Sequence, residues 1–273
     1  MPRQPVDLAS HLNHTVVHGH PADFPVTLVP VTCDSGGARR AIPHRLAVVR
    51  EDTGQPLAVV SDRYTLVPHQ TILDAVDASL TTLDVGPVPR GIYVDRGGAR
   101  LRAVYKFPAL TQAIARGDEV CPCLQVRNTY DGTSRIGLHI GAFRFVCTNL
   151  AVGGGGVFAG GFMAVHAGEI PIEAVAEELA SYLRGFDTIA DLYRAWQDMP
   201  VSTEILDRLH VDDFAGQPDG LREAWLTARP TTVYAAYNAA TDFASHRMRS
   251  ATVAFRLLER LNRVFQEHFP CSA

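Results

Sequence analysis

Short apolar runs in the first half of the chain alternate with turn residues, a pattern that is typical of antiparallel hairpins. Residues 45–60 predict one hairpin, and residues 92–105 predict a second one that turns at Asp95–Gly98. Between them, apolar residues recur at helical spacing over 71–83 and predict a short amphipathic helix. We therefore expect a β-rich first part that also contains one helix.

After a Gly-rich stretch, the apolar positions recur with a period of about 3.6 residues, as they do in amphipathic helices. The predicted helices cover residues 168–186, 189–196, 221–228, 232–245 and 250–269. Strands come first and helices follow. The expected fold class is therefore α+β, with an antiparallel, hairpin-rich N-terminal part followed by an α-helical C-terminal part.

These patterns also predict how the chain is divided. The first residues are rich in Pro and His without sustained periodicity, which indicates an arm or an early edge strand. The run Gly153–Gly156 lacks the lysine and hydroxyl residues of a phosphate-binding loop, so a mobile linker or lid is the simpler interpretation. We expect an N-terminal arm over 1–35, a β-rich domain over 36–152, a Gly-rich linker over 153–168 and a helical region over 169–273.

A third hairpin, over residues 124–140, is the most informative segment because its turn predicts its register. Asp131-Gly132 between alternating runs is a strong turn signal. A three-residue loop over 130–132 pairs Val126 with Ile136 and keeps the apolar side chains on one face, whereas a two-residue loop would mix the faces. The predicted register places Arg127 directly opposite Arg135.

Two like charges facing each other across a hairpin are destabilising, by a few tenths to about 1 kcal/mol. Gln125 and His139 lie nearby on the same predicted face, and the next strand adds Arg144. A carboxylate from the acidic helical region could compensate these charges, and so could an external anion. If the anion is external, a phosphate fits the planar fork of paired arginines.

Composition narrows the possible environment and function. The 273 residues include 25 Lys and Arg against 29 Asp and Glu, which gives a net charge of −4. That charge is unevenly spread: residues 36–149 carry +4, whereas residues 168–273 carry −6. No apolar run is long enough to span a membrane. Five cysteines and an N-terminus without secretory features favour a reducing cytoplasm.

Candidate metal sites are weak in this sequence. Cys121 and Cys123 are too closely spaced for a typical zinc knuckle and are better interpreted as small buried hydrophobes. A histidine cluster near the N-terminus has no acidic or cysteine ligand close to it, so we expect neither a metal nor a cofactor. The cluster consists of His11, His14, His18 and His20.

Four ordered motifs resemble a known family. They are Val59–Tyr64, Arg127–Ser134, Phe145–Leu150, and Tyr237–Phe243 with His246. The chain resembles, over residues 40–260, the phage/plasmid-like proteins grouped as domain of unknown function 932. The resemblance implies an origin on prophages, plasmids or other mobile elements. It therefore also implies work on nucleic acid, for example the binding or annealing of single strands during recombination.

Three functional hypotheses follow, and the first is favoured. It describes a homo-oligomeric accessory protein without enzymatic activity that binds single-stranded DNA through a basic sheet face. The alternative is an interaction protein that binds a host factor through its acidic helical half, without nucleic-acid activity. A third hypothesis is a metal-dependent hydrolase or nuclease around Asp62, Asp131 and His139. In the first hypothesis the binding residues are Arg127, Arg135, Arg144, Gln125, Asn128, Tyr130 and His139.

Overall fold

The computed structural model describes residues 22–132, 136–144, 150–152, 161–164, 172–214, 220–248 and 251–270. The strands are β1 Val26–Ser35, β2 Ala38–Arg50, β3 Pro56–Ser61, β4 Arg90–Asp95, β5 Arg100–Lys106, β6 Gln112–Ala115, β7 Asp118–Thr129, β8 Ile136–Arg144, β9 Leu150–Val152 and β10 Gly161–Ala164. The helices are α1 His69–Thr81, α2 Ile172–Arg184, α3 Phe186–Asp198, α4 Thr203–Asp213, α5 Gly220–Ala228, α6 Val233–His246 and α7 Ala251–His268. The predicted α+β class is confirmed.

The first sheet contains β1, β2 and β3 in that order, all antiparallel. Strands β1 and β2 are joined by Gly36-Gly37, and Ser35 pairs with Ala38. Both glycines have positive φ angles, of 59° and 76°, which is the requirement of the tightest hairpin turn. The predicted arm over 1–35 therefore ends inside a hairpin, with residues 26–35 as its edge strand. The predicted hairpin over 45–60 is confirmed as part of β2 and β3.

The second sheet has seven strands in the order β10-β8-β7-β5-β4, with β6 paired to β7 and β9 paired to β8. Its neighbouring strands are antiparallel, and the β4–β5 pair is the predicted second hairpin. Strand β10 lies within the segment that was predicted as a linker, where it pairs with β8 from Ile136 to His139. Gly161–Ala164 of the predicted linker thus form a strand, which the sequence did not indicate because a short Gly-flanked strand has too few residues to show a pattern.

The register of the third hairpin differs from the prediction. Arg127 lies opposite Gly137 rather than Arg135, and Val126 lies opposite Leu138 rather than Ile136. Because the shift is two residues, every side chain keeps its predicted face. The hydrophobic pattern distinguishes odd from even shifts and cannot distinguish two registers that differ by two. Arg135 lies outside the described residues.

One large apolar core joins the second sheet to the helices. It includes α1 side chains such as Ile72 and Leu73, sheet residues such as Leu124 and Val126, and the helical aromatic residue Trp196. Of the helices, α4 was not predicted, although Ser202 caps its first turn by accepting a hydrogen bond from the Ile205 amide. None of the described helices is long and apolar enough to cross a membrane.

A smaller core lies between the first sheet and the end of β7. It contains Phe24, Val48, Val60 and Tyr130, all less than a tenth exposed. Arg50 spans the same junction, because its guanidinium lies 3.9 Å from the Phe24 ring centre and donates to the Gly97 carbonyl at 3.2 Å. The base of the first sheet is thus fixed to the second sheet.

Candidate functional site

The face of β7 that carries Arg127 is largely covered. The register places Arg127 and Gln125 on the same face as Arg102 and Val104 of the neighbouring strand β5. The Arg127 side chain is 13% exposed, and Gln125 is 1% exposed. A nucleic-acid backbone therefore has little access to either residue in this structure.

Arg127 meets the helical region through a short polar chain. Its Nη2 donates a hydrogen bond to Nε2 of His139, and the His139 Nδ1 lies 3.4 Å from Oε1 of Glu259 in α7. The Arg127 Nη2 also lies 3.8 Å from the same carboxylate. The protein itself thus supplies an acidic side chain from the helical region, which is the internal compensation that the sequence left open.

The protonation states of His139 and Glu259 follow from their burial and from the charges beside them. Burial and the neighbouring Arg127 lower the pKa of His139 to about 3, so the imidazole is neutral near pH 7. Since Nε2 accepts from Arg127, the proton of the neutral ring is on Nδ1, which faces Glu259. Burial raises the pKa of Glu259, while Arg127 and Arg256 lower it. Both ring nitrogens are engaged, so His139 has no free lone pair to act as a general base.

A pair of opposed arginines does exist, but on other strands than predicted. Arg102 of β5 lies directly opposite Arg127 of β7. Burial lowers the pKa of Arg102 to about 10, Asp95 raises it, and Arg127 and Arg100 lower it further. The like-charge pair that we expected between β7 and β8 thus occurs between β5 and β7. Asp95 and Glu259 face it from within the fold.

The remaining arginine of the predicted face lies elsewhere. Arg144 pairs with Val120 at one end of the β7–β8 ladder, whereas Arg127 pairs with Gly137 at the other end. Seven residue steps separate these ends, about 23 Å in an extended strand. Arg127 and Arg144 therefore do not form one cluster, and the predicted basic face is wrong in its geometry.

Asn128 and Tyr130 hold the start of α1 and the residues before it against β7 instead of facing a ligand. Both residues have 0% exposure. The Asn128 Nδ2 donates to the Val67 carbonyl and to Nδ1 of His69, each at 2.9 Å. The Tyr130 ring stacks on the His69 ring with centroids 4.1 Å apart, and its hydroxyl accepts from the His69 amide at 2.8 Å.

These contacts fix His69 and with it the start of α1. Because Nδ1 of His69 accepts from Asn128, its Nε2 carries the proton and donates to the Gly98 carbonyl at 2.9 Å. The amide of His69 is one of the free donors at a helix N-terminus, and the Tyr130 hydroxyl satisfies it. The Arg127–Ser134 motif thus contributes structural residues, a role that the residue types alone did not reveal.

The residues of the hydrolase hypothesis contact three different partners. Oδ2 of Asp62 lies 2.6 Å from Nδ1 of His44, and Oδ2 of Asp131 accepts from Nε of Arg100 at 2.7 Å. His139 faces Glu259 instead. In the described ranges, no three His, Cys, Asp or Glu side chains come together as a metal site. These contacts do not assemble a shared catalytic centre.

Cys121 and Cys123 are buried, as the sequence suggested, whereas Cys33 of β1 is exposed. Cys121 and Cys123 are free thiols with 0% exposure, and burial raises the pKa of Cys121 to about 11. Both are therefore protonated at neutral pH and unreactive as nucleophiles. The N-terminal histidine cluster lies outside the described residues.

The most exposed basic segment is one that the sequence did not single out. We call residues 30–45, the distal part of the β1–β2 hairpin, the arm. All of its described strand residues except Val31 are exposed. Arg39, Arg40 and Arg45 outnumber its one acid, Asp34, and no described residue forms an ion pair with these arginines. The signal was present, since Gly36-Gly37 between two extended runs indicates a two-residue hairpin turn.

The comparison with known protein families agrees with the family resemblance of the four sequence motifs. The model of a family described as a domain of unknown function (DUF932) matches residues 56–265, more than half of the chain. The match begins at β3, so the arm precedes it. No curated protein and no solved structure matches the chain.

Proposed function

From the premise that the chain belongs to the domain of unknown function 932 family, we propose that it is a nucleic-acid-binding accessory protein of a phage or plasmid. In this proposal it acts in the cytoplasm on single strands, as in recombination or annealing, and has no enzymatic activity. The exposed arm of the first sheet makes the contact, in place of the covered face of the second sheet.

The observation that carries the proposal is the surplus of exposed arginines on a projecting two-stranded ribbon. Arg40 and Arg45 are exposed, and Arg39 uses only its Nε in a 3.0 Å hydrogen bond to Thr32 Oγ1. Guanidinium groups of this kind suit phosphate oxygens and need no preformed pocket. Binding through three such groups is electrostatic and releases counterions, so it weakens as the salt concentration rises.

The direct test is fluorescence anisotropy with a labelled single-stranded oligonucleotide over a series of salt concentrations. Each phosphate contact on a single strand contributes about −0.7 to the slope of log K against log salt. Replacing Arg39, Arg40 and Arg45 together by Gln therefore makes the slope shallower by about 2. It also weakens binding at low salt by more than tenfold.

A matched control removes the same charge from other exposed surfaces. Arg116, Arg184 and Arg263 are exposed and lie outside the arm, on the β6–β7 turn and on α2 and α7. Their replacement by Gln leaves the slope unchanged if the arm is the contact surface. Equal losses in both triple variants would indicate general charge attraction, and no salt-sensitive binding by the wild type would remove the proposal.

A host protein as the partner is the second candidate, favoured by one observation. Ile42 of the arm is 38% exposed, and an exposed apolar residue suits a protein surface better than a phosphate backbone. In this case Ile42→Asp abolishes capture of the host protein. Nuclease treatment and the arginine replacements do not affect that capture.

A further inference from the structure

The first sheet presents apolar side chains on the face that points away from the protein core. Val29, Ala47 and Val59 are paired across β1, β2 and β3, so they form one row on the same face. Val59 is 61% exposed and Val29 is 36% exposed. Val49, two residues beyond Ala47, belongs to the same face. We call these four residues the outer row.

The opposite face of the same strands is already used. Val48 and Val60 belong to the small core at the junction with the second sheet, and Leu46 packs against that core. The runs 46–49 and 57–60 are continuously apolar rather than alternating. Continuous apolar runs are typical of strands that are covered on both faces. Among the described residues, only the face that carries Val48 and Val60 is covered.

We propose that the outer row is a homodimer interface, in which the first sheet of a second copy packs face to face on this one. The charges at the two ends of β2 support a second copy as the occupant. Arg45 lies at one end of the outer row, and Glu51 follows β2 at the other end. Both side chains are exposed, and Val48 lies midway between them in sequence.

A two-fold axis close to Val48 makes this arrangement complementary to itself. It reverses β2 of the second copy, so that Ala47 of one copy faces the Val49 position of the other. The same operation places Arg45 of each copy near Glu51 of the other, at both ends of the interface. Aligned packing of two sheets in this way is a standard arrangement of β-sandwiches. The outer row itself belongs to the base of the hairpin and not to the arm, and Arg45 is the residue that this inference shares with nucleic-acid binding, so the Val59 variant tests the dimer without changing the arm.

Sedimentation velocity over a wide range of protein concentrations tests the dimer. We expect the wild type to change from monomer to dimer as its concentration rises. Val59→Asp places a charge at the most exposed position of the outer row, on β3, and abolishes the dimer. Because Val59 is mostly exposed, the fold tolerates the change, which circular dichroism verifies. Val253→Asp is the matched control, since Val253 is 40% exposed on α7, and it leaves the dimer intact.

A charge exchange identifies the partner as a second copy. Arg45→Glu alone, or Glu51→Arg alone, weakens the dimer by at least fivefold because like charges then meet at both ends of the interface. The double variant Arg45→Glu/Glu51→Arg restores the contact. A wild type that stays monomeric at all concentrations would overturn the proposal, as would a dimer that Val59→Asp does not affect. A double variant no better than the single variants would refute the two-fold arrangement.

Discussion

The second sheet and the arm of the first sheet use arginine in opposite ways. On the second sheet, Arg102 and Arg127 are opposed in neighbouring strands, partly buried, and faced by Asp95 and Glu259. On the first sheet, Arg40 and Arg45 stand exposed on a ribbon, without an ion pair to any described residue. The same residue type therefore contributes to internal structure in the second sheet and is available to a partner in the arm.

The difference teaches that charge in a sequence does not by itself mark a binding surface. Residues 36–149 carry a surplus of bases, yet the most regular hairpin within them places its arginine under a helix. What decides accessibility is whether a later element of the chain covers the face, and in this fold α7 covers the second sheet beside Arg127 through Glu259. Four predictions test this comparison.

The largest effect is expected where β7 of the second sheet meets the start of α1. Asn128→Ala leaves the Val67 carbonyl and the Nδ1 of His69 without their buried donor. Each unsatisfied group costs about 1–3 kcal/mol, so we expect the free energy of unfolding to fall by about 2–4 kcal/mol. Urea denaturation measures this change.

Gln70→Ala is the control, because it removes only an exposed helix-surface hydrogen bond to Asp74. We expect it to lower the free energy of unfolding by less than about 0.5 kcal/mol. Equal losses would contradict a buried role for Asn128.

The second prediction concerns acid stability and the second sheet. The pKa of His139 is about 3 in the folded protein and about 6.5 when unfolded, so only the unfolded chain takes up this proton between those values. Stability therefore decreases as the pH falls below about 6.5, by up to about 1.4 kcal/mol per pH unit, and this contribution is absent above it. The raised pKa of Glu259 acts in the opposite direction.

Urea denaturation midpoints measured between pH 4 and pH 8 test this dependence. The range spans the pKa of about 6.5 that His139 has in the unfolded chain. In His139→Gln the profile becomes flatter than in the wild type. His268→Gln, which removes an exposed histidine at the end of α7, keeps the wild-type profile. If His139→Gln also keeps it, the imidazole is not held neutral by burial.

Much of the fold follows from local pattern, whereas the candidate site does not. Apolar spacing predicted the hairpins at residues 45–60 and 92–105 and six of the seven described helices, because each pattern lies within one segment. Helix α4 was missed although its Leu206 and Leu209 are buried. Eight of the twelve residues 202–213 are polar, and the four apolar positions repeat too briefly to indicate a helix.

The predictions about the site failed for one physical reason: the positions of its residues depend on contacts between residues far apart in sequence. The hydrophobic pattern could not choose between two registers that differ by two residues. Nor could it show that Arg102, 25 positions before Arg127, lies beside it, or that Glu259 reaches it from α7. Asn128 and Tyr130 were assigned to a ligand because a polar residue near a turn is usually exposed. Asn128 contacts Val67 and His69 instead, and Tyr130 contacts His69 and the first sheet, all of which lie far from them in sequence.

The third prediction tests whether Glu259 has the compensating role that the geometry indicates. Glu259→Gln leaves Arg127 and Arg102 facing each other with less negative charge nearby. Because the Glu259 side chain is 30% exposed, solvent screens part of this interaction, and we expect a loss of only about 1–2 kcal/mol in unfolding free energy. Single-strand affinity stays the same, since the face remains covered. A clear gain in affinity would show that the second sheet is an accessible binding surface after all.

The smallest effect is expected from a Gly→Ala substitution in one turn of each sheet. This pair of variants compares the two sheets most directly, because the chemical change is the same in both. Gly37 joins β1 to β2 and Gly117 joins β6 to β7, and both have a φ angle of 76° with no atom within 4 Å of an added Cβ. Replacement by Ala therefore costs about 1–2 kcal/mol in either turn, through the left-handed backbone alone.

In the exposed arm this strain opens only the hairpin tip. Gly37→Ala is thus expected to weaken single-strand binding a few-fold while the melting temperature stays constant. Gly117→Ala, whose turn connects strands of the large core, lowers the melting temperature by a few degrees and leaves binding unchanged. The opposite assignment of the two effects would mean that the arm is part of the cooperative core and that the binding surface lies elsewhere.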